Sequence, residues 1–350
     1  MATIASLALV AGPTKFACIS PKSMTMSAQI TPPITFCHRH SRNAIFTSIS
    51  PSHRRFPSIQ KPISSSLPNP TSPPLFPKIR SLKSRLTAGE TLYGLFLLSS
   101  SPTLAEIAGL AGYDYVVIDM EHGPGGISDA LSSLRALAGT GTAAVIRLPE
   151  TSATWTKKAL DLGPQGVMFP MIEDARAAEL AVSFCRFPPR GVRGSAHPLI
   201  RASAYGINDN YLNCCEDDLL IMCQIESVAA ANNIEAIAGV DGVDCLQMGP
   251  LDLSASMGYL WDPGNSKVRV MLREVERRVL GLRKDGEEMA STPYLAGFAM
   301  PFDPPEDMKL RGYHMVAGAA DVGMFRKAAV EDVMRFRLAA TEMGEKDGDA

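Results

Sequence analysis

Acidic residues are absent from the first quarter of this chain: no Asp or Glu precedes Glu90, and all 36 acids of the 350 residues lie from there onward. The same tract carries eleven Lys/Arg, among them Arg39, Arg42, Arg54, Arg55 and Arg80, and is rich in Ser and Pro, as in SISPSHRRFPSIQKPISSSLPNPTSPP. A hydroxylated, basic, acid-poor composition is that of an organellar targeting segment. A secretory signal fits less well, because MATIASLALVAG has a short apolar run with no basic residue ahead of it. Prolines at 57, 62, 68, 70, 73 and 74 exclude a helix near the junction, so residues 1–75 are expected to be an unfolded transit peptide that is cleaved, with a retained disordered tail as the competing reading. The uncharged, Ala-rich start favours the chloroplast over the mitochondrial matrix, whose presequences carry arginine early on an amphipathic helix.

Other absences exclude whole classes of function. Without residues 1–89, 23 Lys/Arg face 36 acids, a formal balance of −13, which argues against a nucleic-acid partner. No apolar stretch approaches the ~18 residues that span a bilayer, so no membrane partner is expected. The seven cysteines (18, 37, 185, 214, 215, 223, 245) form no CxxC pair and are expected to be reduced thiols rather than disulfides or a zinc site. No GxGxxG follows the first strand-like run, and GPGG at 123–126 lacks the spacing, which disfavours an open doubly wound sheet.

What the chain does have is rhythm. TLYGLFLL, YVVIDME, AAVIRLP, GVMFPM, LLIMCQIE, VDCLQMG, LAGFAMP and HMVAGAADV recur with helical stretches between them. Apolar strands without polar alternation are buried on both faces, as in a parallel closed sheet. Eight of them in about 270 residues predict an α/β protein, a (β/α)8 TIM barrel over 80–343, followed by an acidic tail at 344–350. In DARAAELAVSFCR, the spacing predicts a buried stripe of Ala177, Leu180, Ala181 and Phe184. A further helix is predicted over 326–343, with an apolar stripe of Val330, Val333, Met334 and Leu338.

Barrels place chemistry at the C-terminal ends of strands. There the second run delivers Asp119, Glu121 and His122, the third Arg147, the fifth Gln224 and Glu226, and the sixth Gly249, Pro250, Leu251 and Asp252. Such charges must be paired, solvated or bound to metal. Glu226 and Asp252 end neighbouring strands, 26 residues apart, and two carboxylates with no nearby Cys or His suit Mg²⁺ or Mn²⁺. The competing reading pairs each with an arginine or hydrogen-bond donors. Gly249 and the amides around Leu251 are placed to receive a substrate carboxylate. His122 is the histidine at a strand end and the candidate general base, with a helix-capping or core histidine as the alternative. Arg147 would stabilise an oxyanion, or pair with Asp119 or Glu121. Asp161 would orient His122, or be an ordinary helix-end acid.

Six ordered motifs make the chain resemble the HpcH/HpaI aldolase family of the phosphoenolpyruvate/pyruvate barrel superfamily over roughly 86–335. They are DxEHGP (119–124), IRLP (146–149), LDLGPQGVMFPMI (160–172), FPPRGVRG with RASAYG, QIES (224–227), and GVDCLQMGPLDLSASMG. The resemblance implies a metal-dependent class II aldolase, a carbon–carbon lyase that interconverts a 4-hydroxy-2-oxo acid with pyruvate and an aldehyde through a metal-held pyruvate enolate. It puts the base on His122, the enolate-stabilising arginine on Arg147 and the acid tuning the base on Asp161. Metal ligands fall on Glu226 and Asp252, and pyruvate-binding positions on Gln224 and Leu251. It also implies a homo-oligomer, a hexamer, with Arg190, Arg193 and Arg201 in a functional or interfacial connection. Pro164 and Ala319 depart from the family pattern. Oxaloacetate decarboxylation, a CoA-thioester lyase, or a non-catalytic metabolite-binding barrel are the alternatives at the same site.

Overall fold

A computed structural model describes residues 80–282 and 292–346. The expected leader over 1–75 lies outside the described residues, as do Cys18, Cys37 and the end of the acidic tail. Eight strands form the sheet: β1 (Leu92–Leu97), β2 (Tyr115–Asp119), β3 (Ala143–Arg147), β4 (Gly166–Phe169), β5 (Leu220–Ile225), β6 (Cys245–Met248), β7 (Tyr294–Phe298) and β8 (Met315–Ala320). They pair in parallel, in sequence order, into a closed barrel, and each of the eight apolar runs contributes one strand. The helices are α1 (Leu82–Thr87), α2 (Pro102–Ala111), α3 (Ile127–Thr140), α4 (Ala153–Leu162), α5 (Ala175–Cys185), α6 (Tyr211–Asp218), α7 (Val228–Asn232), α8 (Ile234–Ala238), α9 (Pro250–Ser256), α10 (Ser266–Leu282), α11 (Pro305–Arg311) and α12 (Asp321–Lys346).

Successive side chains on each strand enter two separate cores. Leu95, Leu97, Val116, Ile118, Ile146 and Ile221 point outward into the layer shared with the helices. Leu92, Phe96, Tyr115, Val117, Val145, Met168 and Met222 point inward and fill the barrel. This double burial is why the strands read as unbroken apolar runs. Space inside is tight: a Cβ on Gly94 would come within 2.3 Å of the Tyr115 ring, so glycine is needed for that ring to occupy the interior.

The floor of the barrel is closed by α1. Its Ser81 cap accepts from the Ser84 amide at 3.2 Å, and Leu82 and Leu86 join the interior core. Around them Lys83 pairs with Asp244 at 2.9 Å, while Arg85 reaches Glu90 at 2.8 Å and Asp114 at 2.6 Å. At the seam between β1 and β8, the Asp321 carboxylate accepts from the amides of Leu98 (2.8 Å) and Ser99 (3.1 Å).

Two helical expectations are corrected. In α5 the buried stripe is Ala178, Ala181, Val182 and Cys185, and Leu180 is exposed, because the helix face that meets the sheet is turned by one residue. The last helix starts at Asp321 and continues to Lys346, through the first residues assigned to the tail. Its Val330, Val333, Met334 and Leu338 are exposed on this chain rather than packed on its own barrel. Among the described residues, Cys185, Cys214, Cys215, Cys223 and Cys245 form no disulfide. Among the described residues no helix is long and apolar enough to cross a membrane.

Candidate active site

The inward register that carries Leu, Val and Met at the floor carries polar side chains at the mouth. Continuing along it, β2 ends in Asp119 and β3 in Arg147, while β5 and β6 reach Gln224 and Gln247, all buried. Arg147 is held on two sides. Its Nε donates to Asp119 Oδ1 at 2.9 Å and its Nη2 to Oδ2 at 2.5 Å, the two-pronged arrangement that fixes a guanidinium plane. Nη1 then faces Gln224 Oε1 at 3.4 Å and Glu121 Oε2 at 2.9 Å, and the group lies 5.1 Å from the centre of the Phe96 ring. Burial alone would lower the affinity of Arg147 for its proton; Asp119 outweighs it and leaves the pKa raised. Pairing with Asp119 or Glu121 was the structural alternative for Arg147, and the arginine makes both pairs while still lining the cavity. Asp119 Oδ1 also accepts from the amides of Glu121 (3.0 Å) and His122 (3.3 Å), so one carboxylate fixes both the arginine and the turn beyond β2.

Glu226 lies across the mouth and is 3% exposed. Oε1 accepts from the Met171 amide at 2.7 Å and Oε2 from Gln224 Nε2 at 2.9 Å. Burial pushes its carboxyl up to about 7; the Met171 hydrogen bond opposes that, and the charges of Glu121 and Asp252 add to it. Burial likewise raises Glu121, against the pull of Arg147, and Glu121 Oε2 lies at ion-pair distance from Arg147 without an aligned hydrogen bond. Gly249 has a different role from the one expected. Its amide donates to Ile225 O at 3.0 Å and is not offered to a ligand. A Cβ there would fall 2.6 Å from the Glu226 side chain, so glycine makes room for that carboxylate. Pro250 opens α9, which sets Leu251 and Asp252 in its first turn.

His122, Arg147, Gln224, Glu226, Gly249, Pro250, Leu251 and Asp252 line one cavity of about 420 Å³. Asp161 stands apart from them. It pairs with Arg193 Nη2 at 3.3 Å, no hydrogen bond or ion pair among the described residues joins it to His122, and Arg193 also donates to Tyr211 Oη at 3.0 Å. His122 is largely exposed at the rim, with Nε2 4.0 Å from Glu121 Oε2. Arg190 pairs with Glu216, and Arg201 donates to Leu162 O, so the three arginines of the long connection are held by neighbouring protein groups. Sequence reasoning missed Phe96, Gln247, Phe298 and Trp261 in the lining. Only Gln247 had left a trace, as the one polar side chain within CLQM.

Among the described residues no three His, Cys, Asp or Glu side chains gather as a ligand set. The cavity offers two acids, Glu226 and Asp252, with oxygen donors around them. That chemistry fits a hard divalent cation: burial first, and then the charges of Glu121 and Asp252, disfavour the Glu226 carboxylate, and a cation there would offset both.

Residues 92–328 match the family model described as HpcH/HpaI aldolase/citrate lyase. A hydroxypyruvate/pyruvate aldolase of Cupriavidus necator is 33% identical over 255 residues, 73% of this chain and 91% of that protein. A 2-keto-3-deoxy-L-rhamnonate aldolase of Klebsiella pneumoniae is 34% identical over 264 residues, 75% of this chain and 96% of that protein. Among solved structures, an HpcH/HpaI aldolase/citrate lyase family protein from Burkholderia cenocepacia superposes with a TM-score of 0.68 at 34% identity, covering 74% of this chain and 99% of that one. With a closed eight-stranded barrel, this mouth and these matches, the chain belongs to the HpcH/HpaI aldolase/citrate lyase family.

Proposed function

We propose that this protein is a carbon–carbon lyase that joins pyruvate to an aldehyde, or cleaves the resulting 4-hydroxy-2-oxo acid, with Mg²⁺ or Mn²⁺ held by Glu226 and Asp252. The observation that carries this reading is the mouth itself: one oriented arginine, two amides and a surplus of carboxylates around a single cavity. When bound, the cation would polarise the keto group of the 2-oxo acid and make its methyl protons easier to remove.

The chain's own groups supply the rest. Asp119 holds the Arg147 guanidinium so that Nη1 points inward, a fixed positive charge for the enolate oxygen. Gln224 hydrogen-bonds Glu226 and lies beside Arg147, which orders the floor on which the carboxylate and keto oxygens would rest. His122, at the wet rim, would take the proton of the C4 hydroxyl through a water during cleavage and return it during synthesis. In synthesis pyruvate loses one methyl proton, the C3–C4 bond forms and the aldehyde oxygen gains a proton, so no oxidant or reductant enters. Asp161 has no part in this scheme within one chain.

The acid-free leader supports delivery to the chloroplast, with the mitochondrial matrix as the alternative, and the localisation of a fluorescent fusion to residues 1–79 tests it. A homo-oligomer, a hexamer, is supported by the resemblance and by exposed Phe325, Phe336 and Leu338 on α12; sedimentation velocity would show it. The activity is tested by proton NMR of pyruvate in D₂O. Methyl exchange that needs Mg²⁺ or Mn²⁺, stops with EDTA and is lost in Glu226→Ala and Asp252→Ala is the expected result. No exchange from folded, metal-loaded protein would refute the reading.

A further inference from the structure

We infer that the aldehyde partner carries an apolar substituent, and that Trp261, with Leu260, forms the wall that selects it. The inference rests on the aldolase reading above and deepens it.

The lining of the cavity has a polar part and a larger apolar part. Among the described residues, His122, Arg147, Gln224, Glu226, Gln247 and Asp252 are all of its charged and amide side chains, and they come from the β2, β3, β5 and β6 side. Five of these six already have roles in the proposed chemistry, and Gln247 donates to Met248 O at 3.2 Å. The apolar lining includes Phe96, Leu98, Phe298 and Ala320 from β1, β7 and β8 and Leu260 and Trp261 from the turn after α9, with Met248, Pro250, Leu251 and Ala255 beside the polar groups. Phe96 and Phe298 meet edge to face at 5.5 Å, which fixes both rings. Among the described residues no Ser, Thr, Asn or Tyr side chain lines the cavity. A polyhydroxylated chain placed there would give up water without gaining partners, and each unmatched hydroxyl is costly. An alkyl or aryl chain loses nothing by the same move and gains burial.

Leu260 and Trp261 are 72% and 76% exposed, yet both border the cavity, so each has a face that a ligand would cover. The turn that presents them is fastened by its own hydrogen bonds. Asp262 N donates to Tyr259 O at 2.9 Å, and Asn265 donates to Asp262 through its backbone at 3.1 Å and its side chain at 3.2 Å. Trp261 itself sits at φ +58°, a left-handed conformation that a bulky residue rarely adopts. A large indole kept in a backbone position suited to glycine points to a use for the indole.

The test measures aldol formation from pyruvate with Mg²⁺, comparing kcat/KM for hexanal and for glyceraldehyde in the full chain, in Trp261→Gly and in Trp261→Phe. Glycine accepts the left-handed backbone, so the turn keeps its shape when the ring is removed. Reading a ratio cancels any general loss of active protein. The expected ratio favours hexanal by about tenfold or more, collapses several-fold in Trp261→Gly through a higher hexanal KM, and recovers in Trp261→Phe. Preference for glyceraldehyde, or a ratio that Trp261→Gly leaves in place, overturns the inference. Pyruvate methyl exchange on the same samples separates the two failures: exchange with the wrong aldehyde preference sinks only the assignment of the wall, whereas no exchange sinks the aldolase reading beneath it.

Discussion

At the floor of the barrel, three cations meet three acids: Lys83 answers Asp244, Arg85 answers Asp114 and Glu90, and Arg80 also answers Glu90. At the mouth, Asp119, Glu121 and Glu226 share Arg147, with Asp252 adding its charge beside Glu226 and His122 at the edge. The two ends are built on the same eight strands and the same inward register, so the difference lies in how charge is balanced. Matched pairs over an apolar plug hold the floor shut. An excess of acid around one immobilised guanidinium leaves the mouth short of positive charge, a deficit that the proposed cation would relieve. Keeping the architecture while unbalancing one end is how a barrel separates stability from chemistry.

Substitutions at the two ends should therefore fail in different ways. The largest effect is expected at Arg147. Arg147→Ala strands Asp119 with its charge buried and unpaired, which should lower unfolding free energy by about 3–5 kcal/mol in urea titrations. Arg147→Lys keeps the charge but not the two-pronged geometry, and should retain the fold while kcat drops about 10²–10³-fold. Next comes the floor: Leu86→Ala opens a cavity in the interior core and should cost about 2–5 kcal/mol of stability with kcat unchanged. Loss of kcat in step with stability would show that the ends are not separable.

A smaller effect is expected at Glu226→Gln, which removes a charge and keeps the side-chain size; Mg²⁺ or Mn²⁺ affinity by titration calorimetry should fall by about tenfold or more. The smallest is a pH effect on metal-free protein. Burial raises the Glu226 carboxyl from its ordinary 4.5 to about 7, so over that interval the folded state holds a proton that the unfolded state has released. Its contribution to stability is greatest below 4.5, declines as pH rises towards 7 and is flat above. Subtracting the Glu226→Gln profile from the wild-type profile isolates it, and a difference that rises with pH would contradict the assignment.

The sequence disclosed the strands well because double burial strips them of polar residues, leaving no competing pattern. It disclosed Arg147, Gln224, Glu226 and Asp252 for the converse reason: a charge or amide ending an apolar run is conspicuous. Phe96 and Phe298 escaped because an aromatic lining a cavity and an aromatic filling a core look alike in one dimension. Asp161 drew attention through its motif, but its partner, Arg193, lies 32 residues on in an irregular connection that periodicity does not describe. Gly249 lines the cavity, but a glycine that lends an amide and one that yields space to Glu226 leave the same letter. In α5, Leu180 looked like core because hydropathy carries no information about which of two adjacent apolar stripes meets the sheet.

The clasp at the seam has a consequence in time. Leu98 and Asp321 are 223 residues apart, and the β1 edge gains its second neighbour only with β8. At a synthesis rate of about 5–20 residues per second, the first strand waits roughly 10–45 s for the last. Throughout that wait it offers an unpaired, apolar edge of the kind that joins other chains. A chain ending before Asp321 would lack the clasp, so the carboxylate that finishes the barrel also ends its exposure to mispairing.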